Sequence, residues 1–131
     1  MKQIRTFSIF LFLLSCLITT SCKDDDNKFT LADSRWTGSV KIENFDNYYY
    51  SYVFVFKANN TGVRTITDTF TNKVVSENFN YSLDLERNRL MLFYPDRDKK
   101  QNENYDVLIL SNDLISITLN TTMILTRTNP K

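Results

Sequence analysis

Residues 78–86 read NFNYSLDLE and carry the clearest strand pattern in the chain. The apolar side chains of this stretch alternate with polar ones and are Phe79, Tyr81, Leu83 and Leu85. A period of two is typical of a β-strand that turns one face to a core and the other face to solvent. The next two residues, 87–88, form a predicted turn, so we expect the chain to fold back into a second strand.

The same pattern recurs in both directions from this strand. Further strands are predicted over residues 35–43, 48–57, 63–68, 89–94, 105–111, 114–119 and 122–128. Residues 71–75 are interpreted as an extension or irregular piece, and residues 96–104 as a polar loop. With short links and no helical period, the sequence predicts an all-β fold, a single antiparallel up-and-down β-barrel of about eight strands. A β-sandwich is the alternative, but a barrel leaves no exposed strand edges.

Residues 48–57 are apolar on both faces of their predicted strand. One face carries Tyr48, Tyr50, Tyr52, Phe54 and Phe56, and the other carries Tyr49, Val53 and Val55. A strand of this kind is expected deep in a sheet. The turn that follows, residues 58–62, is predicted to use asparagine and Gly62 because both accept positive φ at little cost.

What the sequence lacks excludes several classes of function. None of the 131 residues is histidine, which rules out Ser-His-Asp and Cys-His nucleophiles and HExxH zinc sites. Only Gly38 and Gly62 are glycines, too few for a phosphate-binding Gly-rich loop. The net charge is +1, with basic residues scattered among acids, which argues against a nucleic-acid partner. We therefore predict that the protein is not an enzyme and has no catalytic residue, metal site or cofactor.

Two acidic groupings are candidate chemical sites. Asp84 and Glu86 share a face of the predicted strand, as a general acid and base would. That face is opposite to the apolar one, so a solvated strand face is the preferred interpretation. Asp96 and Asp98 open like a calcium loop, but lysines follow where oxygen ligands are needed, so residues 96–98 are interpreted as a charged loop tip.

The N-terminus has the order of a secretory signal peptide. Lys2 and Arg5 precede an almost unbroken apolar run over residues 7–18, and small or hydroxyl-bearing residues follow. As a helix this run covers about 18 Å, which is too short for a hydrocarbon core of about 30 Å. Residues 1–21 are therefore predicted to be a cleaved signal peptide, and their removal makes the net charge slightly negative.

Cys22 resembles the cysteine of bacterial lipoproteins, which receives the lipid anchor after cleavage. Ser21 fits the small residue required before the cut, while Thr19 departs from the usual leucine. Cys16 is the alternative, but it would leave an unusually short signal, so Cys22 is favoured. The resemblance implies a lipoprotein whose Cys22 carries acyl chains such as palmitate and whose partner is the membrane.

Lys23, Asp24, Asp25 and Asp26 follow Cys22 directly. They are similar to the export tag that sends Bacteroidetes lipoproteins to the outer face of the outer membrane. The resemblance implies an outer-membrane location on the cell surface, with the periplasmic face as the alternative. Their charge also predicts an extended, solvated tether over residues 22–32. Residues 33–131 then form the one domain, because a chain of this length supports one core.

Trp36 and Arg127 are predicted to meet where the first and last strands close the barrel. Both have inward phase, so the Arg127 guanidinium can cover the indole in a cation–π contact. With this pair, and with the aromatic strand that leads into the turn at residues 59–62, the chain resembles the lipocalin-like small lipoproteins of Bacteroidetes, which are calycin-type β-barrels. Ser34 departs from the lipocalin pattern, which has glycine at that position.

The resemblance implies a surface protein that binds a small apolar or amphipathic ligand. Tyr48, Tyr50 and Tyr52 are candidate ligand contacts, because each offers a flat ring and a hydroxyl near the barrel mouth. A packed core is the competing interpretation of the aromatic residues. In that case the protein would be a non-enzymatic surface partner, an accessory subunit or inhibitor, whose contact surface is the outer face of residues 49–55.

Overall fold

The computed structural model describes residues 28–98 and 101–128, and within them the chain is all-β. Eight strands form one closed antiparallel barrel in sequential order. They are β1 (Ser34–Lys41), β2 (Tyr49–Phe56), β3 (Thr61–Asp68), β4 (Val74–Asp84), β5 (Arg89–Phe93), β6 (Glu103–Ser111), β7 (Leu114–Thr118) and β8 (Thr122–Arg127). The predicted up-and-down barrel is confirmed, and the sandwich alternative is excluded because the sheet is closed.

Closure depends on a short pairing between the first and last strands. Trp36 lies opposite Arg127, and Thr37 lies opposite Thr126. The amide of Thr128 adds a hydrogen bond of 2.9 Å to the carbonyl of Arg35. Since every strand then has two neighbours, the barrel exposes no unpaired strand to a second chain.

The barrel has two ends that differ in their connections. The closed end contains the start of β1 and the links at residues 57–60, 85–88 and 112–113. The mouth contains the links at residues 42–48, 69–73, 94–102 and 119–121. The longest link thus lies at the mouth, where a barrel has room to present a site.

Strands β3, β4 and β6 are longer than the sequence analysis predicts, and β4 and β6 extend into segments that it interpreted as irregular or as a loop. Residues 74–75, interpreted as part of an irregular piece, belong to β4, because Val74 and Val75 pair with Thr67 and Ile66 of β3. Strand β6 begins at Glu103 within the predicted polar loop, and Glu103 pairs with Leu92. Cross-strand pairing outweighs the local polarity that suggested a loop in both places.

Asparagine takes the left-handed backbone positions that glycine takes in most proteins. Among the described residues, positive φ is found at Asn44, Asn47, Asn60, Asn72, Asn88 and Asp33, and at no glycine. The prediction that Gly62 adopts a positive φ in the turn is therefore wrong. Gly62 lies in β3, where an added Cβ would stand 2.4 Å from the carbonyl oxygen of Val55 and 2.5 Å from the ring of Phe79. It is glycine because the Phe79 ring packs against its backbone.

Apolar side chains fill the interior toward the closed end, and on β5 they extend to the level of Glu103, which pairs with Leu92. Those with almost no exposed surface are Trp36, Phe54, Phe56, Phe79, Leu90, Leu92, Ile115, Ile117 and Leu125. Phe56 and Phe79 meet edge to face with ring centroids 5.5 Å apart, and the Tyr81 ring lies 5.0 Å from Phe56. This packing matches the interpretation of the inward aromatics as core.

The compact barrel unit begins at Leu31, whose side chain is only 2% exposed. The hydroxyl of Ser34 donates to the carbonyl of Leu31, so the chain enters the barrel at the closed end. The predicted signal peptide, Cys22 and residues 23–26 lie outside the described residues. Within those residues, no helix is long and apolar enough to cross a membrane.

Candidate functional site

An open groove lies inside the mouth, between β2, β3 and β4. Its volume is about 330 Å³, and its lining residues are Tyr50, Ile66, Asp68, Lys73 and Val75. We call it the mouth groove. This size is near the lower limit of small-molecule sites, and the lining combines apolar walls with one acid and one base.

An aromatic rim stands beside the mouth groove and is formed by Phe45, Tyr48 and Phe70. The Tyr48 ring meets Phe45 at 5.9 Å, Phe70 at 5.5 Å and Tyr50 at 5.8 Å between centroids, each time edge to face. Phe45 is 62% exposed and Phe70 is 79% exposed. Two phenylalanines held in solvent at adjoining loops form an apolar surface that a ligand or partner would cover.

Asp68 connects the rim to the mouth groove. The hydroxyl of Tyr48 donates to its Oδ2 over 2.9 Å, and the amide of Phe70 donates to its Oδ1 over 2.9 Å. Desolvation acts to raise the pKa of Asp68, but hydrogen bonds from Thr71, Tyr48 and Phe70 outweigh it and lower the pKa. Hydrogen bonds with Tyr50 and Asp68 raise the pKa of Tyr48 above its ordinary value. The carboxylate is thus held ionised and in place.

The three tyrosines predicted to contact a ligand fall at three depths. Tyr48 lies on the rim, Tyr50 lines the mouth groove, and Tyr52 lies one layer deeper with its ring stacked on Phe54 at 6.2 Å. Burial raises the pKa of Tyr52. The structure therefore brings Tyr48 and Tyr50 together at the mouth, while Tyr52 joins the layer beneath them.

That deeper layer contains buried charges, and we call it the charge layer: Arg64, Glu77, Tyr94, Arg97, Glu103 and Tyr105. Arg64 is only 5% exposed. Its Nη1 lies 2.7 Å from Oε1 of Glu103, and its Nη2 lies 3.2 Å from Oε1 of Glu77. Its Nε–H finds no acceptor among the described residues. Burial acts to lower the pKa of Arg64, and interactions with Tyr94 and Glu103 raise it overall, so the guanidinium remains charged.

Glu103 is the centre of the charge layer. Its Oε1 accepts hydrogen bonds of 2.7 Å from Arg64, from the hydroxyl of Tyr94 and from the hydroxyl of Tyr105. Burial, followed by the hydrogen bond to Glu103, raises the pKa of both Tyr94 and Tyr105. A half-buried carboxylate with three donors on one oxygen is well compensated.

Arg97 covers the charge layer from the link between β5 and β6. Its guanidinium carbon lies 4.2 Å from the centroid of the Tyr94 ring, and that of Arg64 lies 4.8 Å from the same centroid. Arg97 also forms a short ion pair with Glu77 and approaches Glu103 at 3.9 Å. Burial acts to raise the pKa of Glu77, and hydrogen bonds from Arg97 and Arg64 lower it overall. The tyrosine ring thus makes cation–π contacts with two guanidiniums.

The sequence analysis did not identify the charge layer, although strand parity contains a signal for it. Arg64 is in phase with buried Gly62, Glu77 with buried Phe79, and Glu103 with buried Tyr105. Three charged residues on inward positions of three strands predict an interior polar cluster. Because residues 71–75 were interpreted as irregular and residues 96–104 as a loop, the inward position of these charged residues was not recognised. Arg97 is part of the layer and is not simply a charged loop tip.

Trp36 and Arg127 lie together near the closed end. The guanidinium carbon of Arg127 is 5.0 Å from the centroid of the Trp36 ring, and Trp36 has no exposed surface. The indole N–H donates to the hydroxyl of Ser34 over 2.7 Å. Ser34, which departs from the lipocalin pattern, thus supplies the hydrogen-bond acceptor that a buried indole needs.

The outer face of β2 is not the exposed apolar surface. Tyr49, Val53 and Val55 are half-buried, because their cross-strand neighbours on β1 and β3 shield them. Leu108, Leu110 and Ile124 form an exposed apolar group on the outer wall, on β6 and β8. They occupy neighbouring positions, since Leu108 pairs with Ser116 and Ser116 pairs with Ile124.

The acidic pair considered in the sequence analysis does not form a site. Strand β4 ends at Asp84, whose Oδ1 accepts the amides of Glu86 at 3.1 Å and Arg87 at 3.2 Å. Asp84 therefore organises the turn, and Glu86 lies in that turn and not on the strand. Residues 28–98 and 101–128 contain no group of three or more acidic, cysteine or histidine side chains arranged to hold a metal ion.

Comparison with known proteins provides no relative. No protein-family model matches the chain, and no curated protein matches it. The site must therefore be interpreted from its own geometry.

Proposed function

We propose that this protein binds a small amphipathic molecule at its barrel mouth, without catalysis, as a lipid-anchored outer-membrane protein of the lipocalin-like type. The mouth groove carries this proposal. It places the ring of Tyr50 and the aliphatic side chains of Ile66 and Val75 beside Asp68 and Lys73. Apolar walls with a few fixed polar groups are the usual composition of a small-ligand site.

The packed half of the barrel limits where this ligand binds. Trp36, Phe54, Phe56 and Phe79 fill the closed end, so a ligand binds above them. The charge layer separates that packing from the mouth groove. Each groove residue Tyr50, Ile66 and Val75 lies two positions along its strand from Tyr52, Arg64 or Glu77. The proposed ligand is therefore small and remains near solvent.

The ligand proposal is tested by native mass spectrometry of the full chain purified from its own host. We expect a bound small molecule in the unaltered protein and its loss in Tyr50→Ala, because that change removes the aromatic wall. The matched control is Tyr49→Ala, the neighbouring tyrosine on the outer face. A bare protein mass in the unaltered chain would contradict the proposal.

The anchor proposal is tested by acyl labelling and membrane fractionation. Cys22→Ala is expected to abolish labelling and release the protein from membranes, since the thiol that takes the lipid is gone. Cys16→Ala is the matched control and is expected to be labelled normally. Unchanged labelling of Cys22→Ala would reject this cysteine as the anchor.

A second function is favoured by one observation on the outer wall. Leu108, Leu110 and Ile124 expose neighbouring apolar side chains, as an accessory subunit or inhibitor would toward a protein partner. This candidate predicts that Leu108→Asp abolishes a crosslinked complex on intact cells, whereas Tyr50→Ala leaves it. The opposite pattern favours the mouth groove.

A further inference from the structure

The charges around the mouth groove are compensated in each layer. In the charge layer, two arginines face two glutamates: Arg64 contacts Glu103 and Glu77, and Arg97 contacts the same two carboxylates. In the groove lining, Asp68 is matched by Lys73. The site therefore has polar groups of both signs and no excess of either.

The aromatic rings near the mouth groove do not favour a cationic ligand. Organic cations bind over open ring faces. The Tyr48 ring is contacted by Phe45, Tyr50 and Phe70, and the Tyr94 ring is contacted by the guanidiniums of Arg64 and Arg97. Tyr48 and Tyr94 are thus already engaged, and the exposed rings of Phe45 and Phe70 stand on the rim, outside the groove lining.

We infer that the ligand is a neutral amphiphile, a molecule with hydroxyl groups at one end and a short apolar portion at the other. This inference rests on the proposed function and specifies its ligand class. An anion that enters the groove approaches Glu77 and Glu103, and a cation approaches Arg64 and Arg97; neither gains an unpaired counter-charge. A hydroxyl can both donate to a carboxylate and accept from a guanidinium, so it suits a site that carries both.

The orientation of the neutral ligand follows from the order of the layers. The hydroxyl end faces inward, toward Tyr52 and the charge layer, and the apolar portion lies against the rim of Phe45 and Phe70. Tyr52→Phe keeps the ring that stacks on Phe54 and removes only the hydroxyl. It is therefore expected to weaken binding of a polyol end by about tenfold, which corresponds to one hydrogen bond to a neutral partner.

Three probes with alkyl chains of five or six carbons test the ligand class: hexyl glucoside, hexanoate and hexyltrimethylammonium. Each is titrated below its micelle concentration into the full chain, and binding is followed by NMR chemical shifts and calorimetry. We expect hexyl glucoside to bind at least about tenfold more tightly than either charged probe. Tighter or equal binding of a charged probe overturns the neutral class and leaves mouth binding standing. No shift at the mouth groove with any probe contradicts the proposed function itself.

Charge variants give a second, independent test. Glu103→Gln leaves one arginine charge in excess and is expected to improve hexanoate binding by about tenfold relative to hexyl glucoside. Arg97 is partly exposed, and Arg97→Gln leaves one carboxylate in excess. This variant is expected to shift the binding preference toward hexyltrimethylammonium. It also keeps the test valid if Glu103→Gln does not fold. Glu86→Gln, in the turn at the closed end, is the matched control. Unchanged relative affinities in both variants overturn the inference.

Discussion

The two halves of the barrel are built from the same strands but are filled in opposite ways. On β3, Gly62 packs under an aromatic ring, while Arg64, two residues further along, forms buried ion pairs. On β4 the change is equally abrupt, from the buried ring of Phe79 to the carboxylate of Glu77. The closed end gains its stability from apolar packing. The mouth places hydrogen-bonding groups where a ligand can approach.

The comparison shows how a barrel of eight strands divides its interior. A barrel of this size is just wide enough to be filled by side chains or to hold one small ligand. In this barrel, large apolar side chains fill one end. Ion pairs two residues further along the strands keep the other end polar. Recognition at the mouth therefore does not require a cavity through the core.

The largest expected difference in the free energy of unfolding is between substitutions of two phenylalanines, one from each half of the barrel. Phe79→Ala is expected to lower the free energy of unfolding by about 3–5 kcal/mol, because it leaves a cavity among Phe54, Phe56 and Tyr81. Phe70→Ala removes the same ring from the exposed rim and is expected to change it by less than about 0.5 kcal/mol. Urea denaturation measures both, and equal losses would contradict the division into a packed and an open half.

A smaller difference in the free energy of unfolding is expected between breaking an ion pair inside the barrel and breaking an exposed one. Arg64→Met should lower the free energy of unfolding by about 3 kcal/mol, because it leaves Glu103 and Glu77 with less compensation in a buried layer. Arg89→Met breaks an exposed pair, in which Nη1 lies 2.9 Å from Asp106, and should cost less than about 1 kcal/mol. Urea denaturation at moderate salt measures the difference. If Arg64→Met cost no more than Arg89→Met, the charge layer would contribute nothing to stability.

The tyrosines of the charge layer predict a loss of stability in alkali. Burial raises the pKa of Tyr94 and Tyr105 above 10.0, their ordinary value. Above about pH 10 these groups ionise in the unfolded chain while they stay protonated in the folded one, so the stability they contribute is lost as pH rises further. Tyr94→Phe removes one of these titrating groups, so the melting temperature should fall less steeply as pH rises above about 10. An unchanged slope would show that Tyr94 titrates alike in both states.

The smallest effect concerns the contact that covers the core at the closed end. Trp36→Phe and Arg127→Met, combined in a double-mutant cycle, are expected to show a coupling of about 1 kcal/mol. The coupling comes from the guanidinium that lies 5.0 Å from the indole centroid. Additive losses would mean that the two side chains are close in space but do not stabilise each other.

The sequence predicted the closed end better than the mouth. Alternation of apolar residues predicted the strands, and the shared inward phase of Trp36 and Arg127 indicated which strands close the barrel. Such patterns report burial in an apolar core, which is what fills that end. Strand parity also places Arg64 and Glu103 inward, but it does not show that these two residues, 39 positions apart, are partners. Phe45 and Phe70 lie in links, where side-chain periodicity does not apply.

The asparagines at the turns influence the chain before it folds. Glycine in a turn makes the unfolded chain more flexible, so that more conformational entropy is lost on folding. Asn44, Asn47, Asn60, Asn72 and Asn88 take the left-handed positions here instead. Each carries a small strain in the native state but restricts the unfolded ensemble. The barrel domain, held together without a disulfide among its described residues, thus begins folding from a stiffer chain.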